Sequence, residues 1–162
     1  MLSLTGVLLA AFVPTFLREV HTSKLAEATE LLDTLHREAA LYYAKQHAVA
    51  GSVVRACLPE GAGPYPATPS SELVEVDFSK DEAGAATWRA LGQTQPRSLR
   101  YSYQVVVPEP GCAAHPKGVT ISFRAQGDLD GDGTLSLLER RSVADEAQLV
   151  PDGPLRIVDR LE

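Results

Sequence analysis

The segment 127–139, GDLDGDGTLSLLE, gathers the side chains best suited to binding a cation. Asp128, Asp130 and Asp132 alternate along it, Gly133 follows, and Thr134, Ser136 and Glu139 come after. The calcium-loop pattern D-x-[DN]-x-[DN]-G-x5-E is met at every specified position. Calcium takes about six to eight oxygens, and carboxylates on alternate residues of a tight loop converge on one point. Gly133 permits the sharp turn, the Thr134 carbonyl can ligate, and Glu139 could close the sphere with both oxygens. The expected ligand set is therefore Asp128, Asp130, Asp132, Thr134, Ser136 and Glu139. The competing reading is a polar hairpin turn that uses Asp-Gly for its backbone angles. Closely spaced aspartates repel one another, which a plain turn would avoid. Calcium is thus the expectation, with a Kd on the order of 10⁻⁴–10⁻³ M, as in extracellular modules. One condition attaches to it. If the chain from Leu135 onward is extended, Glu139 turns away and the site loses its bidentate ligand.

Other constellations are weaker. No G-x-S-x-G occurs, and no nucleophile–base pair can be assembled from the sequence, so an enzyme is not expected. Of the four histidines, His21, His36 and His47 lie on one helical stretch at spacings that do not converge, and His36 and His47 read as solvated. His115 follows Cys112 by three residues, but no second Cys/His pair exists to complete a metal site. GAGPYP at 61–66 has the glycines of a phosphate loop without its lysine or flanking strand and helix. Trp88 reads as a core anchor.

Residues 1–47 read as one long helix of two characters. Met1 to Leu17 is uncharged, at the short end of what spans a bilayer. A narrow seam then runs through Leu25, Ala28, Leu32, Leu35, Ala39, Tyr42 and Gln46, widened by Leu31 and Tyr43. Lys24, Glu27, Glu30, Asp33, Arg37, Glu38 and Lys45 fall on the opposite face. Gly51 ends the helix, and residues 58–71, rich in Pro, Gly and Ser, read as an extended loop. Leu73–Phe78 suits a short strand, and Asp81–Leu91 a helix stopped by Gly92. Alternating apolar residues predict strands over Arg100–Val107 and Gly118–Ala125, with further strands at Leu135–Arg140 and Leu155–Leu161. The predicted fold is α+β: a long N-terminal helix, with a membrane half and an amphipathic half, packed on an antiparallel sheet of about four strands. Its parts are 1–17, the apolar half; 18–50, the amphipathic half; and 51–162, a globular head with room for a single modest core.

A net charge of −6 with no basic face excludes nucleic acid as a partner. Cys57 and Cys112 are the two cysteines. A membrane-inserted N-terminus would place the remainder outside the cytoplasm, where one disulfide is permitted; the alternative is two reduced, buried thiols.

GVLLAAFVPTFLREVHTSKLAEAT resembles the first helix of type IV pilins, in which a Gly-x-Leu-Ala-rich membrane segment runs through a proline into a polar Ser-Lys-x-x-Glu-Ala stretch. The matching positions are Gly6, Leu8, Ala10, Ala11, Pro14, Phe16, Ser23, Lys24, Glu27 and Ala28. WRALG at 88–92, YSYQV at 101–105 and GDLDGDGTLS at 127–136 resemble minor pilin-like proteins of myxobacterial type. The resemblance implies a minor pilin or pseudopilin, anchored in the bacterial inner membrane with an extracytoplasmic head and polymerised into a pilus or type II secretion-like filament through Gly6, Leu8, Ala10, Ala11, Pro14 and Phe16. Its partners would be other pilin subunits and the assembly machinery. It also implies a disulfide pinning the C-terminal region, and related pseudopilins bind calcium in a head loop. The alternative is a membrane-anchored, extracytoplasmic calcium-binding module that does not polymerise. The family's leader, cleavage-site glycine, N-terminal phenylalanine and nearby glutamate have no counterpart; aligned on Pro14 they would lie just upstream of Met1. The expectation is a start assigned too late or a sequence beginning inside the mature helix, with a degenerate paralogue as the alternative. An ordinary secretory signal fits poorly, lacking a basic n-region and an A-x-A site.

Overall fold

Among the described residues, a 42-residue helix, α1 (Ser3–Ala44), leads into ten short to medium strands and a second small helix. The computed structural model describes residues 3–112, 118–146 and 148–158, with side chains from Lys24 onward. In chain order the strands are β1 (His47–Val49), β2 (Ser52–Val54), β3 (Ala62–Tyr65), β4 (Val74–Val76), β5 (Arg97–Leu99), β6 (Ser102–Val106), β7 (Thr120–Gly127), β8 (Ser136–Asp145), β9 (Gln148–Pro151) and β10 (Arg156–Val158). A 3-10 turn (Phe78–Lys80) and helix α2 (Ala85–Ala90) lie between β4 and β5.

The expectation of about four strands is corrected. The main sheet has six, ordered β10-β8-β7-β6-β3, with β9 also paired to β8 and every pairing antiparallel. β9 and β10 line one edge of the long β8 in succession, Ser142–Asp145 pairing β9 and Leu137–Glu139 pairing β10. β3 adds the opposite edge through Ala62↔Val105 and Tyr65↔Tyr103. It lies inside the stretch expected to be loop, because its glycines and prolines mask a pairing that β6 imposes. There Gly63 adopts φ +78, and a Cβ on it would run into the Tyr103 carbonyl, so only glycine fits this close approach of two backbones. Two further two-stranded sheets, β1-β2 and β4-β5, stand apart from the main one.

The helix seam holds from Ala28 to Tyr43. Ala28, Leu31, Leu32, Leu35, Ala39 and Tyr43 are buried against Tyr103, Val105, Ile121, Phe123, Ala125, Leu138, Ala144 and Leu149 of the sheet. Its end differs from expectation. α1 stops at Ala44 and Gln46 is exposed, because the last carbonyls of the helix find other donors. Lys45 N–H donates to the Leu41 carbonyl at 3.1 Å, His47 Nε2 lies 2.8 Å from the Tyr42 carbonyl, and Ala56 N–H donates to Tyr43 at 2.9 Å. His47, expected to be solvated, thus caps the helix and packs against Tyr42 with ring centroids 4.4 Å apart and planes tilted by 52°. Lys24, Glu27 and Asp33 are also not simply solvent-facing, since each reaches a group on the head. Long polar side chains flanking an apolar seam bury their stems and keep their heads paired.

Cys57 and Cys112 form a disulfide, with Cα atoms 4.1 Å apart. Trp88 is fully buried, as a core anchor should be. Among the described residues no helix is long and apolar enough to cross a membrane. The side chains of the expected membrane and assembly positions, Gly6, Leu8, Ala10, Ala11, Pro14 and Phe16, lie outside the described ones, as do His21 and His115.

Candidate metal centre

β7 and β8 are joined by the loop 128–135, and their ladder runs up to Gly127↔Ser136 at its mouth. Leu129 turns inward and is buried, pinning the loop to the core, while Asp130 through Leu135 are exposed. Lys24 Nζ on α1 donates to the Leu129 carbonyl at 2.9 Å, so the loop is also fastened to the helix.

The carboxylates of Asp128, Asp130 and Asp132 each present an oxygen within 4.8 Å of the others. The loop's own N–H groups hold them there. Asp128 accepts from Gly131 at 2.9 Å and from Gly133 at 3.2 Å, one oxygen each. Asp130 Oδ1 accepts from Asp132 at 3.1 Å, and Asp132 Oδ1 from Thr134 at 2.6 Å. Gly133, at φ +89, has the left-handed backbone expected of it. The Thr134 backbone N–H, aided by its hydroxyl, holds the Asp132 carboxyl below the usual range, so this group stays ionised at neutral pH. These bonds answer part of the electrostatic objection to a plain turn, because N–H dipoles aimed at each carboxylate offset their repulsion. Asp130 and Asp132 each use a single oxygen in this way, leaving the other for a hard cation.

Of the remaining expected ligands, Thr134 stays within the loop, and Ser136 and Glu139 are elsewhere. β8 begins at Ser136, so the chain beyond Leu135 is extended and side chains alternate between sheet faces. Leu138 faces the helix and Glu139 the opposite side. There Glu139 is 5% exposed and accepts from Arg124 Nε at 2.8 Å, with Arg156 Nη1 at 3.8 Å. The cross-strand register Arg124↔Glu139↔Arg156 places one carboxylate between two guanidinium groups. Glu139 is therefore an ion-pair partner on the sheet face, not a member of the aspartate cluster. Ser136 is fully buried and donates its hydroxyl to the Gly127 carbonyl at 3.3 Å, closing the hairpin. The site thus keeps a donor set of hard oxygens from Asp128, Asp130 and Asp132, which fits a divalent cation completing its shell with water. It lacks the bidentate carboxylate that would tighten the grip. Nothing in the donor set selects calcium over another hard cation.

Sequence reasoning missed Lys24 as the helix contact of this loop, and the Arg124–Glu139–Arg156 row. The second was within reach, since Leu138 on the core face forces Glu139 off it. A serine–histidine contact also emerges: His36 Nδ1 lies 2.7 Å from Ser142 Oγ. Ser142 is fully buried beneath α1, so its hydroxyl is closed to any substrate. No protein-family model, curated protein or solved structure matches the chain.

Proposed function

We propose that the chain is a structural subunit, of minor pilin or pseudopilin type, anchored and assembled through its N-terminal helix. The observation that carries this reading is the length of α1. At about 1.5 Å per residue its 42 residues extend roughly 63 Å, whereas the stretch buried on the head, Ala28–Tyr43, needs only about 24 Å. A helix far longer than its domain requires has work outside the domain, and the uncharged Met1–Leu17 suits a membrane or a filament core. The Cys57–Cys112 bridge supports an extracytoplasmic head. The test is fractionation of cells making the protein from its native locus. The expected result is protein in both the membrane and the sheared-filament fractions, with Leu8→Asp emptying both while leaving the melting of the head unchanged. Protein in membranes but never in filaments would favour the non-polymerising module, and soluble monomer would sink both readings.

The aspartate loop would then hold a calcium ion that stiffens a surface of the head. With a Kd on the order of 10⁻⁴–10⁻³ M, about ten times that concentration of calcium should add roughly 1.4 kcal/mol of stability. Differential scanning calorimetry of the full chain should show a rise of a few degrees in Tm, abolished by Asp128→Asn with Asp130→Asn. An unchanged Tm, together with no heat on titration, would leave the loop as a hydrogen-bonded turn.

A further inference from the structure

Polar side chains interrupt the apolar contact between α1 and the sheet, well away from the carboxylate loop. Asp33 and His36 lie one turn apart on α1, and Arg140 and Ser142 alternate along the helix-facing side of β8. Asp33 pairs with Arg140, and His36 Nδ1 meets the buried Ser142 hydroxyl at 2.7 Å. The edge of Phe123 on β7 backs the imidazole, with ring centroids 6.5 Å apart and planes at 75°. The Arg140 side chain is only 18% exposed, and its Nε is buried without a hydrogen-bond partner. The knot therefore offers one carboxylate to a guanidinium that is already incompletely satisfied, and among the described residues no second anion joins it. The other elements packed on α1 add no titratable relief: Arg124 of β7 and Glu139 of β8 pair with each other on the opposite face of the sheet. β9 (QLVP) carries no ionisable side chain, the one charge of α2, Arg89, is exposed, and Asp145 acts on Tyr43 further along the helix.

We propose that Asp33, His36, Arg140 and Ser142 form an acid-sensitive latch, which fastens α1 to the sheet at neutral pH and slackens when His36 takes up a proton. In the neutral tautomer protonated on Nε2, His36 Nδ1 accepts from the Ser142 hydroxyl. Protonation reverses that polarity, forces the hydroxyl to rotate, and places an imidazolium beside Arg140 in a half-buried site. Burial first and Arg140 second hold the imidazole below its ordinary 6.5, with Asp33 pulling the other way. Because folding favours the neutral ring, the stability it contributes is complete above about 6.5. It is lost as pH falls from there through the lower folded value.

The experiment uses the full chain in detergent micelles. The His36 ring is followed by proton–carbon correlation NMR, and the α1 amides by hydrogen exchange at pH 7.5 and pH 5.0, corrected for intrinsic rates. His36→Asn keeps a neutral acceptor near the position of Nδ1, and Arg140→Met removes the neighbouring cation. The wild type should titrate below 6.5, and amides within Ala28–Tyr43 should lose at least about threefold more protection on acidification than in His36→Asn. In Arg140→Met the imidazole should titrate at higher pH than in the wild type. A wild-type ring titrating at 6.5 or above, or equal acid loss of protection in wild type and His36→Asn, would overturn the latch.

Discussion

Replacing Cys57 and Cys112 together by alanine is expected to lower the unfolding free energy of the head by about 4 kcal/mol. The bridged residues are 55 apart in sequence, and chain-entropy reasoning puts the closure of a loop of that length near this value. For a head of this size the loss corresponds to a fall in Tm of roughly 10–20 °C. The enclosed loop contains β3, β4, α2, β5 and β6, so the cross-link constrains half the head and one edge of its main sheet. It is seconded locally by the Leu58–Gly111 bridge, in which each residue donates its N–H to the other's carbonyl at 2.9 Å. Those two bonds persist only if the segments stay together, so their loss should follow that of the disulfide. Chemical denaturation of the double variant against the oxidised parent gives the number directly. A difference under about 1 kcal/mol would mean that the tertiary contacts already confine this loop in the unfolded ensemble, and the entropic account would fail.

Trp88→Ala should cost about 3–5 kcal/mol, the usual range for deleting a buried large aromatic side chain. Trp88 is fully buried with its ring centroid 4.6 Å from Phe78, and Phe78 in turn meets Tyr65 and Tyr103 at 6.1 and 6.3 Å. The indole also has a polar role, since Nε1 donates to Asp81 Oδ2 at 2.6 Å. The same oxygen accepts from Gly63 N–H at 3.2 Å, so Asp81 ties α2 to the edge strand β3. Trp88→Phe separates the two contributions. It keeps most of the apolar contact and removes the donor while Asp81 retains its Gly63 partner, so its cost should be about 1–3 kcal/mol, the range for losing one hydrogen bond to a carboxylate. Equilibrium unfolding of both variants tests the split. If Trp88→Phe proves as damaging as Trp88→Ala, the Asp81 bond rather than ring volume governs this corner of the core. If Trp88→Ala costs less than about 1 kcal/mol, the aromatic cluster is not the anchor it is taken for.

Much of the fold was legible in the residues because local patterning and tertiary burial agree there. The three- and four-residue steps from Ala28 to Ala39 are the face α1 buries, and the alternation through Tyr101, Tyr103, Val105 and through Ile121, Phe123, Ala125 is the inner face of β6 and β7. Where pairing depends on a distant partner, local pattern misled. β3 is built from Ala-Gly-Pro-Tyr, a composition that signals loop, and is a strand only because β6 supplies its hydrogen bonds. The helix looked longer at its C-terminal end because Gln46 keeps the period, whereas His47 and Ala56 cap carbonyls that propensity alone leaves open. His36 looked solvated from its flanking charges, yet it meets a buried serine 106 residues away.

The aspartate cluster follows from local residues alone: alternate carboxylates, glycines at the turn and a tight hairpin bring Asp128, Asp130 and Asp132 together whatever surrounds them. That follows because the contacts are local, spanning a few residues and closed by the loop's own N–H groups. The position of Glu139, by contrast, depends on long-range pairing. A helix after the loop would have swung it toward the aspartates, as the motif requires. β8 is instead a strand, paired along its whole length, so side-chain alternation turns Glu139 to the other face between Arg124 and Arg156. Motif spacing carries no information on whether residues beyond Leu135 coil or extend, because that choice is made by β7 and β10 on either side.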